Sequence, residues 1–427
     1  MVRKQGGVRA GLCAALLGLA SVPGWASGFS IFEQGTRAMG MAGAFTAQAD
    51  DGSALFHNVG GLGFFEEPEF QLGLTYISAT EAEFTGTDPY PGPGVFEEQK
   101  SLSEFVPHAY WIKPLSDMWK FGVGINSPFG LTTEWDDDYP GRFLTTRASL
   151  QTLDITPNIG MRVTENLSAG FGIVARFSEV ELDRSQGLID PFTLRAAEVA
   201  RVNLQGDLSN ALGWQAGLLH KVTEKLTWGF SYRSRIRVHY DGDANFTQVP
   251  SGSPLLDDLV AATLPFGSPV SIHAGIDFPD TASLGVAYAV TESILVEVDA
   301  NLAGWTTFND VVVEFDREGM DDLVLVQDWE ESNNYRVGVR VNRGEKEWRL
   351  GYVFDESPIR DENLSPLLPD ADRNGVTLGW GQAPGNSGID LALMYLPFDE
   401  RTSLDNEVNF TGTYNTTVWL FGVTWNR

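Results

Sequence analysis

The feature that most constrains this chain is a two-residue rhythm of apolar and polar side chains that recurs from about Pro68 to the C-terminus. Over residues 226–240, Leu226, Trp228, Phe230, Tyr232, Ile236, Val238 and Tyr240 share one parity, and Ser231, Arg233, Arg235, Arg237 and His239 share the other. Period two is the period of a β-strand, so this stretch is expected to carry one greasy face and one charged face. The same alternation returns at 167–178, 335–342, 348–355 and 419–425, the last run rich in aromatics. A greasy sheet face must meet either a second sheet or lipid. Beyond the N-terminus no apolar run reaches the roughly 18 residues a transmembrane helix needs. A membrane chain of this kind can only be a closed barrel, because lipid offers no partner to an unpaired backbone group.

The connections between alternating runs fall into two classes. Thr164-Glu165-Asn166, Thr223-Glu224-Lys225, Thr291-Glu292-Ser293 and Gly344-Glu345-Lys346 are tight, whereas 128–147, 183–206 and 243–269 are long. Short periplasmic turns alternating with long extracellular loops are the outer-membrane arrangement. Counting runs between connections predicts an all-β, antiparallel transmembrane barrel of about 14 strands, an even number as bacterial barrels require. Residues 190–202 and 254–264 carry Leu, Ala and Val at helical spacing, so both loops are expected to be helical.

The first 27 residues read as a secretory signal. Arg3, Lys4 and Arg9 precede an apolar stretch from Ala10 to Val22, and Gly24-Trp25-Ala26 offers small residues for cleavage after Ala26 or Ser27. Removal takes away Cys13, the chain's single cysteine, so packing and backbone pairing must hold the exported protein. The formal net charge is −28, and loss of the three basic residues of the signal makes it −31. That balance excludes nucleic acid as a partner. Residues 28–65 do not alternate; they are rich in Gly and Ala and end in Asn58-Val59-Gly60-Gly61-Leu62-Gly63. A non-alternating piece before the first strand fits inside the lumen as a plug. The expected division is 1–27 signal peptide, 28–65 N-terminal hatch and 66–427 barrel.

Several segments resemble the FadL/TodX transporters of long-chain fatty acids and other hydrophobic compounds. Gly28-Phe29-Ser30 resembles that family's mature start, and Ala49-Asp50-Asp51 through Asn58 its plug. The run from Phe129 to Phe143 is similar to one of its loops. Ser231-Tyr232-Arg233-Ser234, Phe278-Pro279-Asp280, residues 367–373 and Trp419-Leu420-Phe421-Gly422 are similar to its strand signatures, in the same order along the chain. The resemblance implies a fourteen-stranded barrel with a hatch, passive uptake of fatty acids or hydrocarbons, and a sideways exit at a kinked third strand. It places the protein in the outer membrane of a Gram-negative bacterium, among lipid and lipopolysaccharide, as a monomer. The family reads Asn-Pro-Ala where this chain has Asn58-Val59-Gly60; the loss of a φ-fixing Pro and the gain of Gly60 are expected to loosen that end of the hatch.

Candidate residues follow. The third strand should run from Trp119 to Asn126, with Gly122 and Gly124, which have no side chain to fill a gap, and Pro128, which cannot donate to a ladder, making the kink that, with Asn58, Val59 and Gly60, forms the gate. Phe29 should enter the substrate site as a greasy plug. Arg233, Arg235 and Arg237 are expected on the lumen face, where one could hold a substrate carboxylate bidentately or brace lumen acids such as Asp154, Glu297 and Asp299. Asp136-Asp137-Asp138 suits a solvated turn, and the five histidines lack metal-ligand spacing, so neither a metal nor another cofactor is expected. No nucleophile, phosphate-loop or dinucleotide motif points to an enzyme. Two alternatives stay open: a general diffusion porin, and an outer-membrane lipid hydrolase built on His220 and Ser231.

Overall fold

In the computed structural model of the chain, residues 28–191, 194, 196–382, 387–404, 406 and 408–427 are described, with residues 80 and 81 described for their backbone only. The expected signal peptide lies outside them. Fourteen wall strands close into an antiparallel barrel. In chain order they are β1 (Glu69–Gly86), β2 (Leu102–Pro114), β3 (Trp119–Asn126, resuming as Gly130–Glu134), β4 (Arg147–Arg162) and β5 (Leu167–Ile189). Next come β6 (Ala196–Lys221), β7 (Leu226–Arg233, resuming as Ile236–Gln248), β8 (Val270–Phe278, resuming as Thr281–Ala289) and β9 (Ile294–Ala303). The circuit ends with β10 (Ser332–Arg343), β11 (Lys346–Asp355), β12 (Arg373–Gln382), β13 (Gly388–Pro397) and β14 (Gly412–Asn426). β14 pairs with β1, from Gln71↔Asn426 up to Gly86↔Gly412, and this seam leaves no edge open.

Outward side chains form the apolar band that the alternation requires: Leu350 on β11, Val376 and Leu378 on β12 and Phe421 on β14 are among those left exposed to lipid. Aromatics such as Trp111, Trp348, Tyr395 and Trp419 stand among them. The lumen face is polar and paired. Arg176 grips Asp154 through two bonds of 2.8 Å, and its guanidinium lies 4.6 Å from the Phe129 ring centroid and 4.7 Å from that of Phe278.

Two expectations fail here. Residues 196–202 are strand and not helix; β6 already runs from Ala196, its register with β5 carried through irregular steps near Gln186 and Gly187. Helical spacing in a short run of small residues was overridden by pairing to a neighbouring long strand. The loop at 254–264 does contain a helix, α1 (Pro254–Thr263), opening with Pro in its first turn. The second failure is the single face drawn through residues 226–240. β7 breaks at Ser234-Arg235, and the ladders resume in the same register, Arg233↔Thr281 before the break and Ile236↔Phe278 after it. Phe230 stays outside, while Ile236, Val238 and Tyr240 turn inward and are fully buried. Parity in sequence and register therefore continue while the faces exchange across the break.

The Arg176–Asp154 pair gives a stability prediction. Arg176→Ala leaves Asp154 charged and buried, which should cost about 3–5 kcal/mol. Urea unfolding in detergent micelles would read this as a lowered midpoint, and adding Asp154→Asn to Arg176→Ala should recover part of it.

Candidate functional site

The N-terminal segment from Gly28 to Phe65 is almost wholly buried and touches lumen-facing residues around the barrel. Its regular structure is slight: short helices at Thr36–Met39 and Ala54–His57 and a 3-10 turn at Val59–Phe64. Most of its backbone groups must therefore find partners elsewhere. The wall supplies them. Asp299 accepts from the N–H groups of Phe45 and Thr46 at 3.0 and 2.9 Å, and Glu297 from that of Ala47 at 2.5 Å. Arg336 donates to the Ala42 carbonyl at 2.8 Å, Gln215 to that of Leu55 at 2.9 Å, and Arg233 to that of Phe56 at 3.2 Å. At the periplasmic end Arg37 sits among Asp50, Asp51 and Glu347. Burial pushes the Asp50 carboxyl up, but Arg37 and Arg340 more than offset it and hold it well below the usual carboxylate range. His57 is driven down to about 3 by burial and by Arg336 and Arg233, so it is neutral.

Asn58 is the tightest point of this segment. Its amide donates to Thr46 O at 2.7 Å and Leu218 O at 3.0 Å, and its side-chain oxygen accepts from Gly60 N–H at 2.9 Å. A Cβ on Gly60 would lie 2.6 Å from the Leu218 backbone, so Gly60 is there for close approach to β6. Ser168 donates to the Gly60 carbonyl at 2.6 Å, and Val59 is buried. The expected looseness at Val59-Gly60 is not found: wall contacts fix what proline would otherwise fix.

The wall is interrupted at β3, though not at the glycines. Gly122 and Gly124 sit in unbroken ladders with both β2 and β4. What a side chain there would meet is Leu55, 2.8 Å from a Cβ on Gly122, and Thr156, 2.7 Å from one on Gly124. The β2–β3 ladder ends at Ala109↔Ile125. Above it, 102–108 of β2 pair with β1, while 130–134 of β3 pair with β4. The step Ser127-Pro128-Phe129 leads the chain away, and Pro128 has no N–H to keep a ladder going.

The start of the N-terminal segment docks on that step. Ile31 N–H donates to Pro128 O at 2.8 Å, Gly130 N–H to Phe29 O at 3.1 Å, and Gln34 bonds both main-chain groups of Ser127, at 2.7 and 3.0 Å. The Phe29 ring is caged by Trp305, Trp329, Phe308, Phe129 and Phe278, with centroids 4.7–6.1 Å away. Beside it a cavity of about 820 Å³ reaches from Phe29 and Phe129 through the gap to the outer surface at Phe105 and Leu153.

The three arginines are not together. Arg233 is buried under the plug, spent on Phe56 O and Gln215, its guanidinium 4.4 Å from the Phe56 ring centroid. Arg235 and Arg237 lie beyond the exchange of faces, face outward and share Asp277, each at 3.2 Å. None of the three lines the cavity. His220 and Ser231 occupy opposite faces of neighbouring strands, since His220 pairs across from the outward Trp228 while Ser231 has the parity of the inward Gly229 and Arg233. They cannot form a nucleophile–base pair. Among the described residues no group of His, Cys, Asp and Glu is arranged to hold a metal.

Residues 17–427 match the family of outer-membrane transport proteins that includes OMPP1, FadL and TodX. The chain belongs to this family. The long-chain fatty acid transport protein of Escherichia coli O6:H1 is 23% identical over 97% of both chains, and outer membrane protein P1 of Haemophilus influenzae is 24% identical over 90% of this chain and 89% of the relative. The fold is that of a solved Pseudomonas aeruginosa FadL homologue, with a TM-score of 0.78 at 20% identity over 94% of this chain and 99% of that one. The Pseudomonas putida toluene transporter TodX superposes with a TM-score of 0.69 at 16% identity, over 94% of this chain and 98% of that one. This FadL/TodX protein is thus an outer-membrane barrel of a family of transporters rather than of enzymes. Its Gln34 and Arg336 carry no sequence signal, because a main-chain docking contact leaves no periodic trace.

Asn58 yields a prediction for this FadL/TodX protein. Asn58→Ala removes three bonds from the plug. In planar bilayers the variant should pass ions in brief openings severalfold more often than the parent, while keeping the heat-modifiable gel migration of an intact barrel.

Proposed function

We propose that the protein takes up hydrophobic compounds passively, receiving them in the cavity beside Phe29 and releasing them sideways through the gap between β2 and β3 into the outer membrane. The observation that carries this reading is the continuity of the apolar cavity from the Phe29 cage to the lipid-facing wall. The opposite end of the lumen argues the same way. The cavity there, about 560 Å³, is bounded by Arg37, Asp50, Asp51, Glu69, Lys221 and Arg427. A hydrocarbon has nothing to gain from an ionic vestibule, whereas lipid is as apolar as the cavity itself.

Residues 28–65 act as the hatch, and Phe29 is the internal stand-in for cargo. Its ring fills an aromatic cage that would otherwise be open to a ligand. The two-sided grip of Gln34 on Ser127 couples the hatch to the kinked strand, so ligand entry that displaces Phe29 also loosens the gap. Asn58 and its neighbours Val59 and Gly60 hold the far end still while this happens, and Gly122 and Gly124 give the hatch room to seat. The gradient and downstream consumption drive flux; no cofactor takes part. The outward band meets lipid and lipopolysaccharide, and one barrel suffices as the working unit. The relatives' printed substrates, long-chain fatty acids and toluene, bracket the chemical range.

Ser30 and Phe129 face each other in an isolated antiparallel bridge, a spacing a disulfide can span. In the cysteine pair Ser30→Cys/Phe129→Cys the oxidised protein should take up a hydrophobic probe at a tenth of the parental rate or less, and reduction should restore it. Undiminished uptake by the oxidised form would refute the coupling. A porin would instead show steady ion conductance from the parental protein.

A further inference from the structure

Resting on that reading, the charge arrangement around the cavity says what its cargo carries at the polar end. The walls are apolar, with Leu131, Leu150, Leu396 and Leu420 among the lining side chains, and Glu33 of the hatch and Glu104 of β2 join them. Neither carboxylate enters an ion pair among the described residues. Arg373 also lines the cavity, but its charge is already met. It lies 3.4 Å from Asp370 and 3.8 Å from Asp355, donates to the Gly28 carbonyl at 2.8 Å, and stacks over Phe398. The other cation in electrostatic reach of Glu33 is Arg336. Its guanidinium is held by the Ala42 carbonyl and by Asn334, over the Phe32 ring. Arg176, behind Phe129, is neutralised bidentately by Asp154. Two guanidiniums, Arg373 and Arg336, thus face four carboxylates, Glu33, Glu104, Asp355 and Asp370, which leaves the set with an excess of acid.

We infer that Glu33 and Glu104 make this cavity a site for uncharged amphiphiles bearing a hydroxyl, of the long-chain alcohol class, and against fatty carboxylates. Glu33 takes the polar end, as an acceptor for the hydroxyl proton. An apolar pocket with a few placed polar groups is how such sites orient a ligand. A carboxylate acceptor prefers an O–H or N–H donor. A carboxylate ligand placed there would set like charges together at low dielectric, which is strongly unfavourable. Discrimination here comes from the repulsive element, with the chain-binding surface common to both ligands.

The test uses the full mature protein in detergent micelles at pH 8, with 1-hexadecanol and hexadecanoate as matched probes. Binding is read from the fluorescence of the tryptophans, Trp305 and Trp329 lying in contact with Phe29. The parental protein should bind hexadecanol at least tenfold more tightly. Glu33→Gln, and separately Glu104→Gln, should raise hexadecanoate affinity severalfold and narrow the ratio, each variant keeping heat-modifiable migration. Equal or tighter binding of hexadecanoate by the parental protein would overturn the inference while leaving hydrophobic uptake standing, and so would an unchanged ratio in both variants. Binding of neither probe would overturn the uptake reading itself, and this inference with it.

Discussion

The structure depends on one constraint: a segment with almost no secondary structure of its own is buried inside a barrel, and its backbone polar groups have to be met there. An unsatisfied buried N–H or C=O costs on the order of 1–3 kcal/mol, and the segment from Gly28 to Phe65 would carry many. The wall answers with inward side chains from most of its strands. Asp299 and Glu297 receive the amides of 45–47, while Arg336, Gln215, Arg233 and Thr377 donate to carbonyls along the segment. The charged lumen is therefore matched to one conformation of this segment. The same demand explains why Arg233 is unavailable to substrate.

The constraint also determines where the wall can open. A barrel loses stability wherever a ladder is broken, unless something else pairs the freed groups. At Ser127-Pro128-Phe129 the hatch itself does so, through Ile31, Gln34 and the carbonyl of Phe29. The gap in the wall and the start of the hatch are one hydrogen-bonded unit. On the proposed reading, a displacement at Phe29 would disturb these bonds and so link occupancy to exit.

Much of the architecture was legible in the sequence because lipid enforces it. The alternation around Leu350 and Phe421, the tight turns at 164–166 and 223–225, and the strand at Trp119–Asn126 follow from which face meets lipid and which pairs. Segment 28–65 stood out by lacking that rhythm. What misled was local. Ile236, Val238 and Tyr240 keep the parity of Phe230, and no composition rule reveals that Ser234-Arg235 exchanges the faces. Arg235 and Arg237 were assigned inward for that reason. Of the three residues expected to make the kink, Gly122 and Gly124 mark close packing instead, whereas the break does fall at Pro128, where the donor is missing. Glu33 and Gln34 carry no motif, and the run 367–373 that ends in Arg373 gives it no role; their parts come from what a folded lumen brings beside them.

On the proposed reading, cargo leaves through the wall and not through the bottom of the barrel. Proteoliposomes with a membrane-bound quencher on one fluorescence channel and an entrapped aqueous acceptor on another would resolve the order of arrival of a hydrophobic probe. The account predicts that the probe reaches the bilayer first, at a rate set by the protein, and the enclosed water only afterwards by partition. Arrival in the enclosed water before the bilayer would contradict it.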